Sequence, residues 1–212
     1  MQLFETRRDR FAHFDAMENP SINLCFRLDV PNFLPACKAA GRPPFHVFLY
    51  ALTRAVMQVE HFRYRKFEGK VIKIDRLFPS YAVMDDNNNL NFARFDGCDE
   101  LDTFIARSKA AKAEACVPGP LRLPGLFCTP REIKDHVWTT CMPWLDLLAI
   151  EHPMTRFSDA DIPMIAFGKF RPEADGRLSL PIAVHAHHGF VDGYHIHLLG
   201  EEIGKQIGLL LR

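Results

Sequence analysis

Residues 178–193 read LSLPIAVHAHHGFVDG, and this stretch constrains the fold more tightly than any other. Leu178, Leu180, Ile182, Val184 and Ala186 fall on one face of an extended chain, and Ser179, Pro181, Ala183, His185 and His187 on the other. A period of two specifies a strand. Carried one residue further, the alternation turns His188 toward the apolar side just where Gly189, Asp192 and Gly193 break the extended run. An imidazole there is partly desolvated, neutral and usable as a base near neutral pH. Beyond the break, Ile196, Leu199, Ile203, Ile207 and Leu210 recur at spacings of three and four, which marks an amphipathic helix with Asp192 at its start.

The remaining pattern supplies a sheet and helices to pack against this unit. Residues 5–14 form a short element that packs Phe11 and Phe14 and shows Arg7, Arg8 and Arg10 to solvent. A strand over 22–30 leads to a short helix over 32–40 that Gly41 stops. Pro43 and Pro44 precede the best-patterned helix, 45–62, where Phe45, Phe48, Leu49, Leu52, Val56 and Val59 make a broad apolar stripe and His46 reads as a satisfied core residue. Strands over 64–67 and 71–74 flank a turn at Glu68 and Gly69. A second hairpin, 81–84 with 90–95, has the tip DDNNN, where Asp85 and Asp86 read as solvated carboxylates.

Asp99 is placed to cap a helix running to Ala115. Prolines at 118, 120, 124 and 130 then exclude a regular element, and the leucines among them predict an ordered connection. Strands follow over 136–141 and 161–170, and a turn at Asp175 and Gly176 leads into the histidine strand. Glycines at 200, 204 and 208 lie four apart on the terminal helix and predict close packing. This order of elements predicts an α+β fold, a two-layer sandwich whose mixed β-sheet is covered by helices on one side, in a single domain over residues 1–212.

Composition narrows the partners. The apolar fraction of 48% in 212 residues suits a compact globule, one that buries about 70% of its unfolded surface. Lys plus Arg and Asp plus Glu are both 26, with no long run of one sign, which argues against nucleic acid or an acidic membrane and favours small neutral ligands. Six cysteines without a CxxC pair read as reduced thiols in a cytoplasmic protein. The start, MQLFETRRDRF, has no signal-peptide core. No apolar run approaches the ~20 residues of a membrane span.

The histidines admit more than one chemistry. His185 and His187 share a strand face and could reach one ion, but His188 points away and no Cys or carboxylate stands at a familiar spacing, so no metal is expected. Cys141, in TTCMPW, has no activating cation or helix start beside it and reads as a buried thiol. No glycine-rich phosphate loop is present. His185, His187, His195 and His197 read as ordinary polar residues. For His188 with Asp192 two readings stay open on the residues alone: a base with its organising aspartate, or a polar side chain beside a helix cap.

HHGFVDG at 187–193 resembles the HHxxxDG signature of chloramphenicol acetyltransferases, whose looser HxxxDG form is shared by dihydrolipoamide acyltransferase catalytic domains. The resemblance extends through RRDRFAHF, PPFHVFLYALTRAV, FRYR, EGKVIKID, TTCMPW and IPMIAFGKF, in the family's order, over nearly the whole chain. It implies transfer of an acetyl group from acetyl-CoA, as co-substrate, to a hydroxyl of chloramphenicol or a related small acceptor. His188 is similar to the general base, and Asp192 to the aspartate that organises the site. Arg7 matches the arginine pairing with that aspartate, and Thr140 stands where a serine hydroxyl usually bonds the oxyanion. Lys169 and Phe170 match a segment near the coenzyme pocket. The family pattern further implies a homotrimer with active sites between subunits. DDNNNLNF departs from the segment that helps line the antibiotic pocket. The alternatives are a dihydrolipoamide-type core and a catalytically silent ligand-binding or assembly member.

Overall fold

The computed structural model describes residues 2–123, 128–153, 160–174 and 177–211. The chain begins with two short helices, α1 (Gln2–Glu5) and α2 (Arg8–Asp15), then strand β1 (Ser21–Asp29), α3 (Phe33–Ala39) and the long α4 (Pro44–Gln58). A single 3-10 turn (Glu60–Arg63) leads to the hairpin β2 (Tyr64–Phe67) and β3 (Lys70–Lys73), and then come β4 (Phe78–Met84), β5 (Leu90–Arg94) and α5 (Leu101–Cys116). The second half holds α6 (Pro130–Ile133), β6 (His136–Cys141), β7 (Met164–Phe167), β8 (Arg171–Pro172), β9 (Leu178–His187) and α7 (Gly193–Leu210). The expected turn at Asp175 and Gly176, and part of the proline-rich connection, lie outside the described residues.

The main sheet runs β1-β9-β7-β6-β4-β5, with β8 beside β9. It is mixed: β7, β6 and β4 are mutually parallel, while β9 is antiparallel to both of its neighbours and β5 to β4. β9 pairs with β1 along nine residues, Ser21 opposite His187 through Asp29 opposite Ser179. β2 and β3 form a separate ribbon whose turn residues Glu68 and Gly69 both have positive φ (48° and 73°), as a two-residue hairpin of the right twist requires.

The helices cover one face, as the pattern predicts. Leu180, Ile182, Val184 and Ala186 of β9 pack into one core with Val47, Phe48 and Leu52 of α4 and Leu199, Ile203 and Ile207 of α7. α4 is buried on nearly every side because α3, α5 and α7 all pack on it. Its stripe is therefore wider than the sequence periodicity shows. Gly41 stops α3 with φ +64°, its N–H on the Lys38 carbonyl and that of Arg42 on Cys37.

The second face of β9 is buried as well: Ala183 and Ala166 lie under Leu147, with Met142 and Ile150 packed alongside. Periodicity gave no sign of this cover, because the chain after β6 is irregular. Three further expectations change. Asp85 is buried at 6% exposure, its carboxylate accepting the Asn87 and Asn89 N–H groups at 2.9 and 2.8 Å, while Asp86 is exposed. Glu100, not Asp99, caps α5, because the helix begins at Leu101 and the Glu100 carboxylate accepts the Asp102 and Thr103 N–H groups; Asp99 pairs with Arg54. Gly200 does pack closely, a Cβ there falling 3.1 Å from the Phe26 ring, but Gly204 and Gly208 face open space. Arg65, unmarked in the sequence, is fully buried and donates to the carbonyls of Phe62, Tyr64, Lys134 and His136, pinning the ribbon to the start of β6.

Two core histidines make stability pH-dependent. Burial pushes His46 and His136 down to about 4, with Lys112 and Lys109 adding to the effect on His46, and Arg94 adding to that on His136 against an opposing bond to Ile133. Both rings stay neutral in the folded chain at pH values where the unfolded chain takes up protons. Stability is therefore complete above about pH 6.5 and falls as the pH drops toward 4, by up to about 3 kcal/mol for each ring. Urea unfolding at a series of pH values should show the midpoint dropping between pH 6.5 and 4.5; a flat profile there contradicts the assignment.

Candidate functional site

β9 ends at His187, one residue before the alternation would place His188 on the helix side. Residues 188–191 instead form a tight turn, with the N–H groups of Phe190 and Val191 both on the His187 carbonyl, at 3.0 and 2.9 Å. Asp192 then caps α7: its Oδ1 accepts the N–H groups of Tyr194 and His195, and His195 Nδ1 accepts the Asp192 N–H at 3.2 Å. A capping box of this kind satisfies donors that the helix start leaves open, and the cap contributes about 1 kcal/mol.

Arg7 closes over this turn from α2's N-terminal side. Its guanidinium donates to Asp192 Oδ2 at 3.0 Å and, more weakly, to the carbonyls of Gly189 at 3.4 Å and His188 at 3.5 Å. The Arg7 side chain is 15% exposed, which overturns its reading as a solvated arginine; Arg8 and Arg10 are exposed as expected. Burial alone raises the Asp192 carboxyl, yet His195 and Arg7 outweigh it and the net shift is downward. The carboxylate is ionised wherever the chain is folded near neutral pH.

His188 is half-buried, with its ring stacked on Phe14 at 3.9 Å between centroids and 18° between planes. Its Nδ1 lies 3.1 Å from the Val191 carbonyl. A carbonyl only accepts, so in the neutral ring Nδ1 carries the proton and Nε2 is the acceptor. The backbone N–H of His188 is held by the Pro20 carbonyl at 2.7 Å. Ring plane, tautomer and main chain are thus each fixed by a separate contact.

His187 is not an idle polar residue. Its side chain is wholly buried, Nδ1 accepts the Gly189 N–H at 3.1 Å, and Nε2 therefore carries the proton and donates to Asp15 Oδ1 at 3.1 Å. Asp15 is also paired with Lys66. Burial lowers the pKa of His187 and Asp15 opposes this. The turn can only take glycine at 189, since a Cβ there would lie 2.9 Å from Phe11 Cα and 3.0 Å from His187 Cε1. His195 lies against His61, ring centroids 3.7 Å apart and planes tilted by 36°, and burial pushes His61 down to about 4, so the cap rests on a neutral imidazole. His197 is exposed. His185 is buried with neither ring nitrogen bonded.

The other expected residues lie elsewhere. Thr140 is level with Ala166 on β7 and through it with Ala183 on β9, five residues short of His188 and two strands away. Strand geometry then separates the two Cα atoms by about 20 Å within one chain. Lys169 is exposed just beyond β7, and Phe170 is half-buried against Phe33 at 5.5 Å, both toward the Thr140 end. The expected set therefore divides into His188, Asp192 and Arg7 at one end of β9 and Thr140, Lys169 and Phe170 toward the other. Burial pushes the Cys141 thiol up to about 12, so it is no nucleophile. Among the described residues, no group of three or more His, Cys, Asp or Glu side chains could hold a metal ion. No helix is long and apolar enough to cross a membrane. Asp15 and His61 were not visible as site neighbours, since nothing in local pattern links them to residues more than 130 positions away.

Comparison with known proteins agrees over nearly the full length. The sequence model of chloramphenicol acetyltransferase matches residues 4–203. A chloramphenicol acetyltransferase of Bacillus pumilus is 24% identical over 89% of this chain and 84% of its own length. Chloramphenicol acetyltransferase 2 of Haemophilus influenzae is 26% identical over 89% and 86%. A solved chloramphenicol acetyltransferase superposes with a TM-score of 0.81 at 25% identity, covering 95% of this chain and 94% of that one. A probable dihydrolipoamide acetyltransferase from Listeria monocytogenes, at 11% identity and a TM-score of 0.65 over 97% and 91%, shares the fold.

Proposed function

The chain belongs to the chloramphenicol acetyltransferase family and is a CoA-dependent acetyltransferase, and we propose that it acetylates a hydroxyl of chloramphenicol or a related small acceptor. The observation that carries this reading is the free Nε2 of His188, held in one tautomer and one plane. That nitrogen takes the proton of the acceptor hydroxyl as its oxygen attacks the thioester carbonyl carbon. Charge collects on the former carbonyl oxygen, where the Thr140 hydroxyl donates to it. Collapse expels the coenzyme thiolate, and the imidazolium returns the proton to sulfur. The products are an acetyl ester and free CoA, with no acyl-enzyme. Asp192 and Arg7 hold the turn and touch no reacting atom. Lys169, an exposed cation beside the half-buried ring of Phe170, suits the phosphates and apolar arm of the coenzyme.

The reaction needs two copies of the chain. With Thr140 about 20 Å from His188 in one subunit, the hydroxyl that serves a given base comes from a neighbour. The homotrimer implied by the family pattern provides one. Six unpaired cysteines support a cytoplasmic setting. The test is direct: purified protein with acetyl-CoA, following free thiol release on addition of chloramphenicol, other small alcohols or dihydrolipoamide. Release with a hydroxyl acceptor is the expected result. Release with dihydrolipoamide alone reassigns the chain to thiol transfer, and no release with any acceptor leaves it a silent member.

A further inference from the structure

A cavity of about 170 Å³ opens at the β5 edge of the main sheet, lined by Ser80, Phe92, Arg94, Glu114 and Arg122 among others. This is close to the about 150 Å³ that admits one benzene ring in an apolar core. Its position ties it to the chemistry. Ser80 is the cross-strand partner of Arg94 on β5 and of Trp138 on β6, so these three side chains form one row on the sheet face that also carries Thr140. Thr140 lies two residues beyond Trp138, about 8 Å from Ser80 between Cα atoms.

Two features of the lining call for a ligand. Ser80 is 1% exposed, yet its hydroxyl has no hydrogen-bond partner among the described residues. Native structures rarely leave such a group unmatched without a reason. Arg94 is held from behind: its Nε donates to His136 Nε2 at 3.0 Å, and its guanidinium carbon sits 4.0 Å over the Phe78 ring. His136 accepts because its Nδ1 proton is turned to the Ile133 carbonyl. Of the nearby carboxylates, Asp135 is paired with Arg76 and Arg131 and Glu114 with Arg122, while Glu132 is paired with Arg76 and also feels the charge of Arg94. Glu114 and Arg122 cancel at the mouth, so the lining keeps a net positive charge from Arg94.

We propose that this cavity is the specificity pocket for a carboxylate on the acceptor, which makes the preferred acceptor a small hydroxy acid. The inference rests on the acetyl-transfer reading, in which the acceptor hydroxyl lies beside Thr140. The carboxylate accepts from the terminal nitrogens of Arg94 and from the Ser80 hydroxyl, while Phe92 packs on the carbon skeleton. About one aromatic ring spans the distance from that carboxylate to a hydroxyl at Thr140.

The test compares 4-(hydroxymethyl)benzoate with its methyl ester as acceptors, with acetyl-CoA, by thiol release. The acid should have the higher kcat/KM by about 10- to 100-fold, the value of a charge-assisted hydrogen bond pair that the ester cannot make. Arg94→Gln should collapse that ratio toward one. Ser80→Ala should reduce it while leaving the melting temperature equal or higher, because it deletes a buried hydroxyl that bonds nothing in the free protein. Equal rates for acid and ester, a ratio that survives Arg94→Gln, or acetylation of chloramphenicol with neither benzoate turned over, overturns the proposal and leaves the acetyl-transfer reading standing. If no acceptor of any kind is acetylated, that reading fails and the pocket is judged by binding. Saturable quenching of Trp138 fluorescence by benzoate in a Trp144→Phe background, lost in Arg94→Gln, supports it, and no saturable change overturns it.

Discussion

His188→Ala is expected to abolish nearly all acetyl transfer, a loss of about 10²- to 10⁴-fold in kcat. The size follows from what the side chain does. Its Nε2 has no partner among the described residues, whereas its Nδ1 bond to Val191 and its stack on Phe14 serve to aim it. Removing the ring therefore costs the fold little, since Gly189, His187, Asp192 and Arg7 keep the turn closed without it. The variant should bind acetyl-CoA as the wild type does and melt within a few degrees of it. Retention of more than about a tenth of the wild-type rate would place the proton transfer elsewhere.

Mixing two dead proteins should restore activity. Thr140→Ala on its own is expected to lower kcat by about 10²- to 10³-fold, the usual cost of one oxyanion donor. Because His188 and Thr140 stand about 20 Å apart within one chain, on strands two apart in the sheet, a site built from two subunits can take its base from the Thr140→Ala chain and its hydroxyl from the His188→Ala chain. After co-refolding equal amounts, each site draws both residues at random, and about a quarter of wild-type activity should return in any closed ring. The fraction does not depend on the number of subunits. If the mixture stays as inactive as its components while co-purification shows mixed oligomers, base and hydroxyl do not meet across an interface and Thr140 has no part in the reaction.

Much of the frame was legible because it repeats. The alternation through β9, the three-and-four spacing of α7 and the proline at the start of α4 are local signals, and each marked its element within a few residues. Asp192 was legible for the same reason, as a cap position at a break. What stayed hidden depends on contacts that no local pattern encodes. Asp85 folds its carboxylate back onto loop amides instead of into water. Asp99 stands one residue outside the cap, which Glu100 fills, and pairs with Arg54. His187 reads as a polar residue on an outward face until the Asp15 carboxylate arrives from α2. Of the candidate site, Arg7 came only from family resemblance. The resemblance placed Thr140 in the same site as His188, and the separation between them within a chain emerged only from the strand register.

The turn around His188 is built from the two ends of the polypeptide, and that has a consequence for when activity is gained or lost. Arg7 and Asp192 are separated by 185 positions, and Asp15 and His187 by 172. Such loops are closed last, after the nearer contacts of the sheet have offset the entropy of drawing the chain together. In reverse they open first, because α2 contributes no fully buried residue: Phe11 packs on the edge of the core, and the rest of its hold is hydrogen bonds, ion pairs and ring contacts. Phe4 stays in the core, so loosening α2 alone leaves the sheet and the long helices in place while the His188 ring loses its stack on Phe14. The order of the turn around His188 is therefore expected to be lost in a shallower transition than the fold itself, which faster amide hydrogen exchange over residues 8–15 and 188–192 than over the sheet would show.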